Sequence, residues 1–246
     1  MAEFAVILPA AGKSTRMTGF QKKKPFVDLK GRPVWLRTAE LFMNRADVSQ
    51  TIVVISPDDL DWFRETYKAN LAFSDITLVA GGATRADSVR NGLAAIRGQP
   101  DFVAVHDAAR PLMTAQWIDQ IFTAAEKLNA VIPGVRITST VKKIDDAGKI
   151  VQTVDRSHLV QAQTPQVFQR DLLVRAYAQN PRASDATDEA SLVESAGHAV
   201  HVIEGWPMNI KITTNDDFRL AELYLNALPR PGGLNALHPF ADDRFS

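Results

Sequence analysis

The strongest constraint on the fold is the alternation of short apolar runs with helical patterns along the chain. The runs are almost continuously apolar, which is typical of strands whose two faces are both covered. They lie at Phe4–Pro9, Thr51–Ser56, Ile76–Ala80, Phe102–His106, Ala130–Val135 (interrupted by Pro133) and Val200–Glu204. Between them, segment 85–97 is predicted to be a helix that ends at Gly98. Repeated βα units predict an α/β fold with a doubly wound, mostly parallel sheet, whose ligands bind beyond the carboxyl ends of the strands.

One segment departs from this alternation. Residues 138–144 and 149–154 are predicted to form a β-hairpin around the glycine-containing turn 145–148. Its strands carry many polar residues, so the hairpin is expected to project from the core. Such a hairpin either packs on a partner subunit or is a solvated excursion, and the spacing alone favours neither.

Composition limits the remaining possibilities. The 246 residues are 46% hydrophobic, which suits a single domain, predicted over residues 1–228, with a mobile tail at 229–246. The 28 basic and 28 acidic residues cancel, which argues against a broad nucleic-acid or membrane surface. The chain has no cysteine and no recognisable signal peptide, so a cytoplasmic location is expected.

The first apolar run leads into a stretch of small residues, Ala10-Ala11-Gly12, followed by Lys13. Small residues let backbone N–H groups approach phosphates. The stretch lacks the spaced glycines of a P-loop or a dinucleotide fingerprint, so alone it predicts either a phosphate loop or an ordinary turn. Several basic residues follow closely and favour a triphosphate clamp. They are Arg16, Lys22, Lys23 and Lys24.

A second set of polar residues ends the strand at 102–106. Asp107 and Arg110 follow it directly, where a metal–triphosphate would bind. Magnesium uses one or two carboxylates together with substrate phosphates, so Asp107 is the candidate ligand for Mg²⁺. The alternative is an aspartate that caps the next helix, which the nearby Arg110 makes less favoured. Two further patterns predict helix starts, with Thr187 as one N-cap and Thr214 with Asp217 as a capping box.

Together these motifs resemble the 2-C-methyl-D-erythritol 4-phosphate cytidylyltransferases of the nonmevalonate isoprenoid pathway. The resemblance covers residues 5–225, and no single motif carries it. The motifs are LPAAG at 8–12 with Arg16-Met17, GGATRADSVRNGL at 81–93, HDAARP at 106–111, TVDR at 153–156, QTPQVF at 163–168, TDEASLVE at 187–194 and NIKIT at 209–213.

The resemblance implies a Rossmann-like nucleotidyltransferase fold and a homodimer in which the hairpin, at about 137–156, embraces the second subunit. It also implies site residues. The catalytic residues would be Arg16, Lys24, Lys211 and Arg156, the last from the partner's arm. CTP would be bound by Ala10, Ala11, Gly12, Lys13, Gly82 and Ser88. The acceptor would be bound by Asp107, Arg110, Thr140, Arg156, Thr187 and Lys211.

The chain departs from the family pattern in three places. Ser14 stands where glycine is usual, Ala83 stands where aspartate is common, and Lys22–Lys24 precede Pro25-Phe26 in place of the usual Pro-Lys-Gln. Lys24 is favoured as the catalytic lysine because a Lys-Pro pair serves at this point in many sugar-phosphate nucleotidyltransferases. The expected reaction joins CTP to methylerythritol phosphate. The alternatives are another acceptor, such as ribitol 5-phosphate, and a non-catalytic nucleotide-binding protein.

Overall fold

The core of the molecule is an eight-stranded sheet in a computed structural model that describes residues 1–12, 23–180 and 183–229. The strands are β1 (Phe4–Pro9), β2 (Asp28–Leu29), β3 (Arg32–Pro33), β4 (Val48–Ile55), β5 (Ile76–Ala80), β6 (Phe102–Val105), β7 (Ala130–Arg136), β8 (Val141–Ile144), β9 (Ile150–Val154), β10 (Val160–Ala162), β11 (Gln166–Gln169) and β12 (His201–Glu204). The sheet runs in the order β10-β7-β11-β6-β1-β4-β5, and β12 pairs with β7. The pairs β2–β3 and β8–β9 form two small separate sheets.

Four of the seven strand pairs in the large sheet are parallel and three are antiparallel. The mostly parallel α/β prediction is therefore confirmed. The antiparallel strands β10 and β11 were not predicted, because glutamines at both ends of β11 hide its short apolar centre. The predicted interruption at Pro133 is wrong, since β7 continues through it and pairs Pro133 with Ile203 of β12.

Helices cover both faces of the sheet. They are α1 (Val34–Glu40), α2 (Leu60–Thr66), α3 (Lys68–Ala72), α4 (Arg85–Ala94), α5 (Ala115–Leu128), α6 (Arg170–Gln179), α7 (Glu189–Ser195) and α8 (Asn215–Ala227), with 3-10 turns at Lys24–Phe26, Pro57–Asp59 and Ala183–Asp185. Alternate residues of β1 explain the two layers. Val6 and Leu8 pack with α1, α2 and α5, whereas Ile7 packs with α4, α6 and α7. No helix in the described ranges is both long and apolar enough to cross a membrane.

Two predicted helix boundaries need correction. Helix α4 ends at Ala94 and not at Arg97, so Gly98 lies beyond its end, although its φ of 69° is the left-handed value expected of a glycine stop. The N-cap of α7 is Asp188 and not Thr187, because the Asp188 carboxylate accepts the N–H of Ser191. The predicted capping box of Thr214 and Asp217 is confirmed at the start of α8.

The strand order places the site. Parallel neighbours β4 and β6 flank β1 on opposite sides, and the chain reaches them by crossovers in opposite directions. Such a switch point leaves a crevice beyond the carboxyl ends of the strands. The segments after β1 and β6, beginning at Ala10 and His106, are therefore directed into the same crevice.

Candidate active site

A cleft of about 830 Å³ opens where β1, β4, β5 and β6 end. Two backbone hydrogen bonds hold the strand ends together. The N–H of Ala10 donates to the carbonyl of Val54 at 2.8 Å, and the N–H of Gly81 donates to the carbonyl of Ile55 at 2.7 Å. The predicted phosphate-loop residues that the structure describes, from Ala10 to Gly12, line one side of the cleft.

The opposite wall consists of Gly81, Gly82 and the start of α4. A Cβ on Gly82 would lie 2.4 Å from the Cβ of Asp87, so only glycine fits there. Buried Ser88 accepts the N–H of Gly82 at 3.1 Å and donates to the carbonyl of Thr84 at 2.9 Å. This wall therefore has a fixed backbone and small side chains, which lets a flat ring approach closely.

The floor of the cleft carries concentrated charge around Asp107, which is 7% exposed. One carboxylate oxygen lies 2.9 Å from Lys211 Nζ and 3.3 Å from Arg110 Nε, and the other lies 3.5 Å from Arg85 Nε. Burial alone raises the pKa of Asp107, but the charges of Lys211, Arg85 and Arg110 outweigh it and lower the pKa below its ordinary value of 3.8. Asp107 is therefore ionised throughout the neutral range.

Lys211 reaches the floor because its neighbours in the chain are fixed. The N–H of buried Ile212 donates to the carbonyl of Ala109 at 2.9 Å, and Ile212 packs against α8. Arg110 donates to the carbonyl of Asn209 at 2.7 Å. With its side chain 42% exposed, Lys211 offers a cationic group to a ligand as well as to Asp107.

His106 supports the floor from below and is completely buried. Because a carbonyl can only accept, His106 Nε2–H donates to the carbonyl of Arg110 at 2.9 Å. His106 Nδ1 therefore accepts from the hydroxyl of Thr164 at 3.0 Å, and that hydroxyl oxygen accepts the N–H of Asp107 at 3.1 Å. Burial lowers the pKa of His106 from 6.5 to about 4, so the ring is neutral at neutral pH.

The chemistry of this donor set suits a metal shared with a ligand and not a closed metal site. No cluster of three or more acidic, histidine or cysteine side chains occurs within the described ranges. Asp107 is a single carboxylate that also faces three cations. Magnesium commonly takes one carboxylate and completes its shell with phosphate oxygens and water, so Asp107 fits only that kind of site.

Comparison with known proteins decides the family. A family model described as 2-C-methyl-D-erythritol 4-phosphate cytidylyltransferase matches residues 4–227. The chain belongs to this family. It is therefore an enzyme of the nucleotidyltransferase class, and the resemblance inferred from the sequence motifs is confirmed.

Individual cytidylyltransferases of the family match along almost their whole length. The relative from Rhodopirellula baltica is 39% identical, with 92% of this chain and 96% of the relative covered, and the one from Symbiobacterium thermophilum is 43% identical, with 90% and 92% covered. The crystal structure of the Francisella tularensis enzyme superposes with a TM-score of 0.76 at 30% identity, covering 91% of this chain and all of that one.

The structure brings together only some of the residues that the family resemblance implies. The cleft is lined by Ala10, Ala11, Gly12, Gly82, Ser88, Asp107 and Lys211, and Arg110 lies beneath it against Asp107. Thr140, Arg156 and Thr187 are exposed and are not among the described residues that line it. Lys13, Arg16, Lys22 and the side chain of Lys24 lie outside the described part.

Two cleft residues of this cytidylyltransferase were missed by sequence reasoning. Asp58 lines the cleft just after β4, where the strand-end argument used for Asp107 applies equally. Arg85 is the first residue of α4, a position where the helix dipole disfavours a cation. An arginine at the start of a predicted helix could have indicated a site residue, because a cation there needs a specific anionic partner.

Proposed function

We propose that the chain transfers the cytidylyl group of CTP to 2-C-methyl-D-erythritol 4-phosphate, forming 4-diphosphocytidyl-2-C-methyl-D-erythritol and pyrophosphate for isoprenoid biosynthesis. The observation that carries this proposal is one cleft that joins the small-residue loop at Ala10–Gly12 to the charged pair Asp107 and Lys211. A loop of backbone donors beside a lysine suits a triphosphate that must react with a second anion.

The reaction needs charge neutralisation more than proton transfer. An acceptor phosphate oxygen attacks the α-phosphorus of CTP, a new P–O bond forms, and the bond to pyrophosphate breaks. The acceptor monoester has a second pKa of about 6, so it is largely dianionic at neutral pH and needs no general base. Catalysis therefore depends mainly on positioning the two substrates and on cationic side chains that neutralise the charge of their phosphates.

We assign CTP binding to one end of the cleft and acceptor binding to the other. Gly82 and Ser88 face the cytosine, and the loop 10–13 with Arg16 and Lys24 holds the triphosphate. The acceptor and the reacting phosphates are assigned to Asp107, Arg110, Thr140, Thr187 and Lys211, with Arg156 from the partner subunit. Lys23 lines the cleft and its ammonium pairs with Asp59, so turnover of Lys22→Ala, Lys23→Ala and Lys24→Ala variants assigns the catalytic lysine, and Lys24 remains our proposal.

Mg²⁺ is the proposed cofactor, held by Asp107 together with phosphate oxygens of the bound nucleotide. When bound, it would neutralise charge on the triphosphate and on the leaving pyrophosphate. Chain residues orient the nucleotide without it, since the loop after β1 and the wall at Gly82 are fixed by hydrogen bonds within the protein.

A homodimer with shared sites accounts for the residues that stand away from the cleft. Arg156 is exposed and donates to the carbonyl of Thr138 at the base of the hairpin. The hairpin also exposes three large apolar side chains, Ile144, Ile150 and Val151, each by 58–60%. We propose that this arm packs on a second copy and delivers Arg156 there. One domain over 1–228, a tail at 229–246 and a cytoplasmic location stay predictions.

Pyrophosphate release with CTP and Mg²⁺ tests the proposal, with methylerythritol 4-phosphate and ribitol 5-phosphate offered in parallel. Release with the first acceptor alone is expected. Release with ribitol 5-phosphate alone would keep the chemistry and reject the acceptor. A folded protein that binds CTP but releases no pyrophosphate with either acceptor would favour a non-catalytic nucleotide-binding role.

A further inference from the structure

Arg85 has a carboxylate partner on a distant segment of the chain. Its two terminal nitrogens donate to the two carboxylate oxygens of Glu189 at 2.7 and 3.0 Å. Its Nε lies 3.5 Å from Asp107 on the cleft floor. Arg85 thus connects the start of α4, the start of α7 and the end of β6.

Glu189 has a fixed and fully buried side chain. Its own N–H and that of Ala190 both donate to the side-chain oxygen of Gln166 in β11, at 3.1 and 3.0 Å. Tyr177 donates its hydroxyl to the same carboxylate oxygen that Arg85 Nη1 contacts, at 3.2 Å. Burial, and to a lesser extent the charge of Asp107, raises the pKa of Glu189, whereas the charge and hydrogen bonds of Arg85 and the hydrogen bond from Tyr177 oppose that rise. The bidentate contact with Arg85 therefore favours the ionised carboxylate.

This arrangement controls which part of Arg85 faces the cleft. Because Glu189 uses both terminal nitrogens, the guanidinium presents its Nε edge to Asp107. Burial lowers the pKa of Arg85, but Glu189 and Asp107 outweigh that effect and raise it, so the cation persists. A guanidinium without this anchor could turn its terminal nitrogens toward Asp107 or toward a bound phosphate.

Asp107 is consequently held on both sides. Arg85 faces one of its oxygens, and Lys211 and Arg110 face the other. The orientation of the carboxylate in the cleft therefore depends on a residue that does not line the cleft itself, since Glu189 is absent from the described lining residues. Misplacement of a reacting-site group by about 1 Å can cost on the order of a hundredfold in rate.

We propose that Glu189 is a positioning residue for cytidylyl transfer, acting through Arg85 to fix the orientation of Asp107. The inference rests on the proposed function of the cleft. It differs from a purely structural role, because a buried ion pair that serves only stability can be replaced by a neutral pair with little loss.

The first test is Glu189→Gln, with Tyr177→Phe as the matched control. Tyr177→Phe removes a hydrogen bond to the same carboxylate and leaves the bidentate contact with Arg85 in place. We expect kcat of Glu189→Gln to fall about tenfold, with the Kd for CTP within about twofold of wild type. Tyr177→Phe should keep kcat within about twofold while losing some stability.

The second test separates positioning from folding. Glu189→Gln removes the bidentate partner of the partly buried Arg85, and Arg85→Met leaves the buried Glu189 without its cation, so either variant can be unstable. The double variant Arg85→Met/Glu189→Gln carries neither charge and keeps an acceptor for Tyr177. We expect it to regain thermal stability relative to the single variants and to keep the low kcat.

Wild-type turnover measured in parallel separates the two proposals. An inactive wild type with both acceptors would overturn the proposed function and the inference with it. An active wild type with an unchanged kcat in Glu189→Gln would overturn the inference alone. A double variant whose kcat recovers together with its stability would also overturn the inference, because that result would show that Arg85 and Glu189 act only in folding.

Discussion

Asp107 is 7% exposed and meets cations from three separate segments of the chain, whereas the hairpin β8–β9 is largely exposed and forms its own two-stranded sheet. The floor of the cleft is thus organised within one chain. The hairpin holds polar and apolar groups away from the cleft of its own chain. The difference agrees with the proposal that one subunit completes nucleotide binding, while Arg156 binds the acceptor in the cleft of a second subunit.

The largest expected effect is at the floor. Lys211→Met should lower kcat by roughly 10²–10³-fold, because it removes the preorganised cation that we propose faces the reacting phosphates. Lys127→Met, in the last turn of α5 and on the surface, is the control and should leave kcat unchanged. Steady-state pyrophosphate release measures both. A Lys211→Met enzyme with normal kcat would remove this lysine from the catalytic machinery.

His106, which is buried beneath the floor of the cleft, should make the stability of the protein depend on pH. The pKa of His106 is about 4 in the folded protein and 6.5 ordinarily, so the unfolded chain takes up this proton more readily. The free energy of unfolding should therefore fall by about 3 kcal/mol as the pH drops through that window. Asp107, whose pKa is lowered, loses its contribution only below its ordinary value of 3.8.

Urea unfolding at several pH values checks the histidine effect. In His106→Gln the free energy of unfolding should change much less between pH 6.5 and pH 4 than in the wild type, whatever the absolute stability of the variant. His201→Gln removes an exposed histidine and should keep the fall. An equally steep fall in His106→Gln would assign the pH dependence to other groups.

The hairpin should affect one substrate more than the other. Arg156→Ala should raise the KM of the acceptor by about tenfold or more and leave the KM of CTP nearly unchanged. Mixing Arg156→Ala with Lys211→Met chains should restore roughly a quarter of wild-type turnover, because about half of random dimers are mixed and each holds one intact site. Equal effects on both substrates, or a mixture that regains nothing, would place Arg156 outside a shared site.

The smallest expected effect is on the nucleotide wall. Ser88→Ala removes the acceptor for the N–H of Gly82 and should raise the Kd for CTP by roughly tenfold. Ser195→Ala is the control, because it also removes a helix hydroxyl bonded to a backbone carbonyl but lies away from the cleft. Calorimetric titration with CTP measures both, and equal Kd values would show that the hydroxyl is not needed to shape the wall.

The α/β class and the parallel strands were predictable because burial on both faces leaves continuous apolar runs. β1 and β5 have the predicted bounds, and the hairpin was located from its turn and polar strands. Strands β10 and β11 were not predictable in this way, because glutamines within or around these short strands leave no continuous apolar run.

By itself the sequence determined the family, the small-residue loop after β1 and the strand-end position of Asp107, because each depends on neighbouring residues in a motif. Only the tertiary structure decided which charges meet. Arg85 and Glu189 are 104 residues apart, and Lys211 is farther still from Arg85. Electrostatic interactions depend on distance in space and on burial, and neither can be read from spacing along a chain.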